Sequence, residues 1–306
     1  MKIGTGYAHG KIILIGEHAV VYGTKAIALP FLKTKCEVRV SSQKEDLIET
    51  FNYIGNLEDA PTEYKAIVCL IIELKEKLNL PPLKYEISSN IPISSGMGSS
   101  AAIAGGIVEA VYDYIGLDLS SEERFELTQF SEKIAHGNPS GIDALATSSS
   151  NAWLFQKGVK PIPFDPKINA YLIVGQSGRL GNTIEAVNLV RKQINEEDKY
   201  YIIEAIGENV IKAYSSYLDR DVNLLGQTMT NTQDLLRNLN LSTKAIDDMV
   251  QDALDLGAVG AKLTGGGMGG CVIALAMSER VAKDIQNKWK GYSNLDSWIL
   301  NLNEDV

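Results

Sequence analysis

The sequence predicts an α+β fold in two domains, on three observations. Alternating apolar residues mark strands in the first third of the chain, and helical spacings dominate the middle and the last third. The two kinds of element mix without strict βαβ alternation. Between them, residues 158–169 carry Pro161, Pro163 and Pro166, the strongest candidate boundary in the chain. The expected domains are therefore 1–165 and 166–306, ordinary sizes for a chain of 306 residues.

The elements follow in order. Residues 11–15 are a short apolar run, read as a strand. Cys36, Val38 and Val40 alternate in a second strand, and Leu83, Tyr85 and Ile87 in a third. Between these, residues 62–78 read as a helix, because Ile67, Ile71, Leu74 and Leu78 share one face and Pro81-Pro82 stops it. A small-residue helix opens at Gly96 to Ala102 and runs to about Tyr114. Ser120 with Glu123 has the capping-box spacing before a helix over 122–135. Asn138-Pro139-Ser140-Gly141 breaks that helix, and residues 152–155 form a strand.

Beyond the prolines comes a strand at 170–174. Helices follow near 182–193, 200–218, 222–238 and 243–256, the last closed by Gly257. Strands at 260–264 and 271–276 flank a glycine run, and a helix over 278–290 follows.

Composition narrows the function. Lys and Arg number 29 against 38 Asp and Glu, a net charge of −9, which argues against a nucleic-acid binder. An anionic substrate would need local positive potential from a helix N-terminus, a lysine or a metal ion. Cys36, Cys69 and Cys271 are far apart with no CxxC pair, so we expect reduced thiols in the cytoplasm and no structural zinc. No apolar run approaches the ~18 residues that span a bilayer. The run Ile12 to Gly16 ends at Glu17, too short for a signal-peptide core.

Three glycine-centred segments carry the chemistry. In Gly10-Lys11-Ile12-Ile13-Leu14-Ile15-Gly16-Glu17-His18-Ala19-Val20-Val21-Tyr22-Gly23, a lysine opens an apolar strand, and an acid and a histidine follow it. They read either as surface and turn residues or as polar groups converging at a strand edge. In Pro92-Ile93-Ser94-Ser95-Gly96-Met97-Gly98-Ser99-Ser100-Ala101-Ala102, glycines admit close backbone approach, serines add hydroxyls, and a helix N-terminus offers free N–H groups. This reads as a phosphate loop or, more blandly, as a serine-capped helix start. It is neither a Walker A loop nor a dinucleotide fingerprint.

The third segment, Lys262-Leu263-Thr264-Gly265-Gly266-Gly267-Met268-Gly269-Gly270-Cys271, holds more glycine than a hairpin needs. We read it not as packing but as a second phosphate-facing loop or a close domain contact. Between the second and third lie Glu132, late on a helix where a carboxylate opposes the dipole, and Asp143, after a Pro-Ser-Gly turn where an aspartate is ordinarily a cap.

Together and in this order the segments resemble the GHMP kinase superfamily. Gly10–Gly23 and Ala135-His136-Gly137-Asn138-Pro139-Ser140-Gly141-Ile142-Asp143 are similar to its mevalonate-phosphorylating branch, in the compact bacterial or archaeal form. The resemblance covers nearly the whole chain, and it implies two domains. The N-terminal one resembles the second domain of ribosomal protein S5, the C-terminal one is ferredoxin-like, and the active site lies in the cleft between them.

By matching position, Asp143 is the catalytic aspartate and Lys11 the lysine beside it. Ser100 and Glu132 match the Mg²⁺ ligands. Pro92, Ile93, Ser94, Ser95, Gly96, Met97, Gly98, Ser99, Ser100, Ala101 and Ala102 match the ATP phosphate loop, joined by Gly265, Gly266 and Gly267. Glu17, His18 and Thr183 fall near the substrate. The implied reaction is ATP- and Mg²⁺-dependent phosphorylation of the 5-hydroxyl of mevalonate. Phosphoryl transfer needs positioning and charge neutralisation more than covalent help, and these residues supply both.

Phosphomevalonate and homoserine kinases of the superfamily are disfavoured by Glu17-His18 and the motif Asn138 to Asp143, and its decarboxylases and 3-kinases by Lys11 with Glu17-His18. A non-catalytic sensor is disfavoured by the intact set Lys11, Ser100, Glu132 and Asp143. The resemblance leaves a homodimer open. Two departures touch the C-terminal half: Gln176-Ser177-Gly178 stands where members often carry Asp-Thr-Gly, and Ile184 where a basic residue often follows the threonine.

Overall fold

The structure, a computed structural model, describes residues 2–137, 139–196, 198–293 and 296–304. Asn138 of the Asn-Pro-Ser-Gly break lies outside the described residues. The chain forms two compact units. One comprises 1–10, 31–92 and 98–149; the other comprises 11–30, 93–97 and 150–306. Two long strands, β1 (Ile3–Ile15) and β2 (Lys25–Ser42), contribute a segment to each.

In the first unit, β3 (Leu47–Glu49) and β4 (Ile54–Asn56) precede helix α1 (Lys65–Leu78), and β5 (Leu83–Ser89) follows it. The strand β5 runs antiparallel to β2, pairing Val38 with Ile87 and Val40 with Tyr85, and parallel to β3. Cys36, Val38, Val40, Leu83 and Tyr85 are fully buried, so the period-two pattern holds. Helix α1 buries Leu70, Ile71 and Leu74 and ends at Asn79 in the left-handed conformation. Then come α2 (Ser99–Ile115), α3 (Ser121–His136) and the short α4 (Ile142–Ala146). As the spacing predicts, the Ser120 side chain accepts from the Glu123 N–H and starts α3.

Beyond its segments of β1 and β2, the second unit holds β6 (Ala152–Gln156) and β7 (Ile162–Phe164). The proline-rich stretch is thus not wholly irregular: Pro163 pairs with Trp153 in β7, an edge strand, where a missing N–H is tolerated. Next come β8 (Tyr171–Gln176), α5 (Thr183–Glu196), α6 (Tyr200–Asp219), α7 (Val222–Asn238) and α8 (Lys244–Asp255). The chain closes with β9 (Gly260–Thr264), β10 (Cys271–Ala276), α9 (Glu279–Ser293) and β11 (Ser297–Asn301).

Four of these strands make an antiparallel sheet in the order β11-β8-β10-β9. Its core joins Ile173, Leu263 and Val272 of the sheet to Val190, Ile206, Leu236, Met249 and Trp289 of the helices. The strand β10 is buried along its whole length, which is why it reads as a continuous apolar run. The fold is α+β, as expected. All three cysteines are free, and burial pushes the Cys36 and Cys271 thiols up to about 12. Among the described residues no helix is long and apolar enough to cross a membrane.

Candidate active site

In the first unit the phosphate-loop motif ends on the N-terminus of α2. Gly98 is the N-cap at φ +76°, with no side-chain cap, so the serine-cap reading does not hold. The first-turn N–H groups therefore depend on other acceptors, the local arrangement that favours an anion. Ser100 sits in this first turn and Glu132 late on α3. The Ser100 hydroxyl donates to Glu132 Oε1 at 2.6 Å. Glu132 is buried, and His136 Nε2, one turn on, lies 3.9 Å from its Oε2.

A hydroxyl and a carboxylate brought to one point are the hard oxygen donors Mg²⁺ takes when phosphate oxygens and water complete its shell. The two residues fit that ion. Asp143 stands in the first turn of α4, after Gly141 at φ +97°. The N-cap is Gly141, so Asp143 does not cap the helix. Its carbonyl accepts from the Thr147 N–H and hydroxyl, which fixes the turn that carries the carboxylate.

In the second unit Lys11 is 2% exposed, so it is not a surface lysine. Its N–H donates to the Met97 carbonyl at 3.0 Å, tying β1 to the loop 93–97. That loop is held against the glycine run. A Cβ on Gly265 would stand 2.7 Å from Gly96 Cα, and one on Gly270 would stand 2.9 Å from the Ser95 carbonyl oxygen. Gly265, Gly267, Gly269 and Gly270 all have positive φ. The expectation that these glycines serve close backbone approach holds at Gly265, Gly267, Gly269 and Gly270, while Gly266 lies against the Thr183 side chain. Gly96 and Gly265, both expected at ATP, are neighbours.

Glu17 and His18 follow β1. The Lys262 ammonium donates to Glu17 Oε1, and both side chains are fully buried. Burial raises the Glu17 carboxyl and lowers the Lys262 ammonium, and each charge opposes the shift of the other. His18 stands at φ +59°, a strained conformation for a non-glycine residue. Its Nε2 lies 2.8 Å from the Gly266 carbonyl oxygen, and burial lowers the imidazole to about 4.

A carbonyl only accepts, so Nε2 carries the proton. The neutral ring then presents Nδ1 as a bare acceptor. His18 thus offers a hydrogen bond and no charge. The Thr264 hydroxyl donates to the Ile13 carbonyl, a further tie between β1 and β9. Thr183 opens α5, exposed, and a Cβ on Gly266 would stand 2.9 Å from its hydroxyl. The divergent Gln176-Ser177-Gly178 packs on the same loop, with the Ser177 N–H donating to the Gly270 carbonyl at 2.8 Å.

Sequence reasoning quoted Lys262 and gave it no role. The signal was present: a lysine inside the apolar strand Gly260-Ala261-Lys262-Leu263 must find a buried partner.

Comparison with known proteins shows the family. The family model for the GHMP kinases N terminal domain matches residues 65–151, and that for the GHMP kinases C terminal domain matches residues 203–294. The mevalonate kinase of Pyrococcus furiosus is 34% identical over 301 residues, covering 89% of each chain. That of Methanocaldococcus jannaschii is 33% identical, covering 88% of this chain and 91% of its own. Among solved structures, the mevalonate kinase of methicillin-resistant Staphylococcus aureus superposes with a TM-score of 0.76 at 32% identity, covering 99% of this chain and all of the other. The L. major mevalonate kinase in complex with R-mevalonate gives 0.78 at 25% identity over 97% of this chain and 96% of its own.

Proposed function

The chain belongs to the mevalonate kinases of the GHMP kinase family, and from that premise we propose how its residues move the γ-phosphoryl group of ATP to the 5-hydroxyl of (R)-mevalonate. In this reading the loop 92–102 and Gly265, Gly266 and Gly267 bind the nucleotide through backbone N–H groups. Ser100 and Glu132 would hold Mg²⁺, which when bound neutralises charge on the phosphates. The observation that carries the reading is the 2.6 Å bond between Ser100 and Glu132, which unites two motifs separated by 32 positions.

The 5-hydroxyl oxygen attacks the γ-phosphorus in line as the bond to the β-phosphate oxygen breaks. Asp143 takes the hydroxyl proton and Lys11 stabilises the charge left on that oxygen. His18, neutral and with Nδ1 bare, accepts a hydrogen bond from a mevalonate hydroxyl. Thr183, beside Gly266, donates to the substrate. The family domains 1–165 and 166–306, the cytoplasm and a homodimer complete the proposal, and sedimentation of the purified chain checks the last.

The test is turnover with ATP, Mg²⁺ and a panel of mevalonate, phosphomevalonate, homoserine and galactose. Mevalonate is expected to give the highest kcat/KM, and a higher value for any other acceptor overturns the assignment. Asp143→Asn keeps the shape and removes the proton acceptor, so kcat falls about 10²–10⁴-fold with melting unchanged. A folded variant that keeps more than about a tenth of wild-type kcat defeats the base role.

A further inference from the structure

Lys262 has no part in the reaction just described, yet it is a lysine with no exposed surface in the middle of β9. Its ammonium donates to Glu17 Oε1 and to the Leu263 carbonyl. The Leu263 N–H in turn donates to Gln233 Oε1 of α7 at 2.9 Å, so the place from which Lys262 acts is itself held. A buried ion pair seldom repays its desolvation in stability, so this one calls for another reason.

The backbone beside Glu17 supplies it. The Ala19 N–H donates to the Glu17 carbonyl at 2.7 Å, and the residue between them, His18, stands at φ +59° and ψ −44°. That is a γ-turn of the positive-φ kind, rare and strained, and such a turn persists only where its surroundings impose it. Here one segment grips it at two adjacent residues. Lys262 holds the Glu17 side chain, and a few positions further on the Gly266 carbonyl accepts from the His18 imidazole at 2.8 Å. The imidazole bond joins two neutral groups and is no stronger than the strain it must offset. The Glu17–Lys262 bond joins two charged groups out of water and is the stronger hold.

We propose that Lys262 is a positioning residue: by holding Glu17 it keeps His18 in its γ-turn, with Nε2 on the Gly266 carbonyl and Nδ1 left to accept from a mevalonate hydroxyl. This rests on the role given to His18 above. It assigns Glu17 an indirect part, acting through the turn and not by contact with mevalonate.

The experiment compares Lys262→Met, the double variant Glu17→Gln/Lys262→Met, His18→Ala and His18→Ala/Lys262→Met with the wild type. It measures kcat, the KM for mevalonate and for Mg·ATP, and thermal melting. It also records the imidazole nitrogen NMR spectrum of histidine-labelled protein at neutral pH without substrate, with the His18 signals assigned by their absence from His18→Ala. Wild-type His18 shows a single tautomer, protonated at Nε2. In Lys262→Met those signals are expected to give way to the averaged tautomers of a free imidazole. The mevalonate KM rises about fivefold, the worth of one neutral hydrogen bond, while kcat and the KM for Mg·ATP move less than about twofold.

Glu17→Gln/Lys262→Met leaves no buried charge unpaired and is expected to match Lys262→Met in spectrum and in KM, because the hold is lost in both. Recovery of wild-type behaviour there assigns the damage to a stray charge and overturns the proposal. If Lys262→Met fails to fold, this double variant carries the comparison with the wild type. In the His18→Ala background, Lys262→Met adds less than about twofold to the mevalonate KM, since the two act through one contact, and a larger further rise overturns the proposal. An unchanged His18 spectrum in the folded lysine variants overturns it too. An unchanged mevalonate KM in His18→Ala instead removes the premise, a different failure, because the spectrum is read without substrate and still decides whether Lys262 holds His18.

Discussion

At the scale of the residue, His18 makes a pH-dependent contribution whose sign follows from its surroundings. The imidazole titrates near 6.5 in the unfolded chain and at about 4 in the folded one, because burial disfavours the charged ring. As pH falls from about 6.5 toward 4, the unfolded chain takes up a proton that the folded chain refuses, so stability is lost over that window. Full development of a shift of about 2.5 units corresponds to about 3 kcal/mol. His18→Gln keeps an N–H for the Gly266 carbonyl and does not titrate. Urea unfolding of both proteins from pH 7 to pH 4.5 should therefore show the wild type losing stability relative to the variant as acid is added. Glu17, shifted in the opposite sense, is present in both proteins and cancels in the difference. A constant difference across the range would show that His18 titrates in the fold as it does in the unfolded chain, and a rise on acidification would show that it is charged there. Residues such as Lys11, Ser100, Glu132 and Asp143 were legible in the sequence because motifs carry them. Lys262 was not, because the partner that explains it lies 245 positions away.

At the scale of the element, two helical glycines with different surroundings should respond oppositely to alanine. In α7, a Cβ on Gly226 would stand 2.4 Å from the Val259 carbonyl oxygen, immediately before β9. Near the end of α9, nothing lies within 4 Å of a Cβ on Gly291. Helix propensity favours alanine at both by about 1 kcal/mol. At Gly226 the clash is with backbone, which cannot rotate away, so overpacking of about 1–3 kcal/mol wins. Gly226→Ala should thus melt several degrees lower and Gly291→Ala slightly higher; a stabilised Gly226→Ala would mean that α7 and β9 are not in close contact. The same physics explains which strands were hard to read. The first half of β1 is invisible to a hydrophobic pattern because its inward positions are Gly4, Gly6, Ala8 and Gly10. A Cβ on Gly6 would stand 2.1 Å from the Gly106 carbonyl oxygen of α2, so the strand buries backbone where a strand usually buries side chains. By contrast Leu83 to Ile87 was legible, since its inward residues are large and apolar. The strand β7 was hidden behind its proline, and β3 and β4, three residues each, were too short to stand out.

At the scale of the whole molecule, the balance of charge sets how an anionic substrate arrives. The chain carries a net charge of −9, and the nucleotide it uses is also an anion. Proteins that steer anions to a basic face gain about 10–10³-fold in association rate at low salt and lose it as salt rises. In the proposed site Lys11 is buried, Lys262 is paired with Glu17, and the N-terminus of α2 would meet the phosphates, so the positive potential offered there would be short in range. Beyond about 10 Å, the Debye length at 0.1 M salt, an approaching nucleotide meets the net negative field. Added salt therefore screens repulsion far away and only weakly affects buried donors close by. We expect kcat/KM for Mg·ATP to stay level or rise, by less than about threefold, as KCl goes from about 20 to 200 mM at constant free Mg²⁺. The measurement is initial rate at limiting nucleotide and saturating mevalonate, with kcat followed alongside to separate binding from chemistry. A fall of about tenfold or more in kcat/KM at constant kcat would show that a basic surface steers the nucleotide, against the reading that local backbone donors and a bound cation do the work.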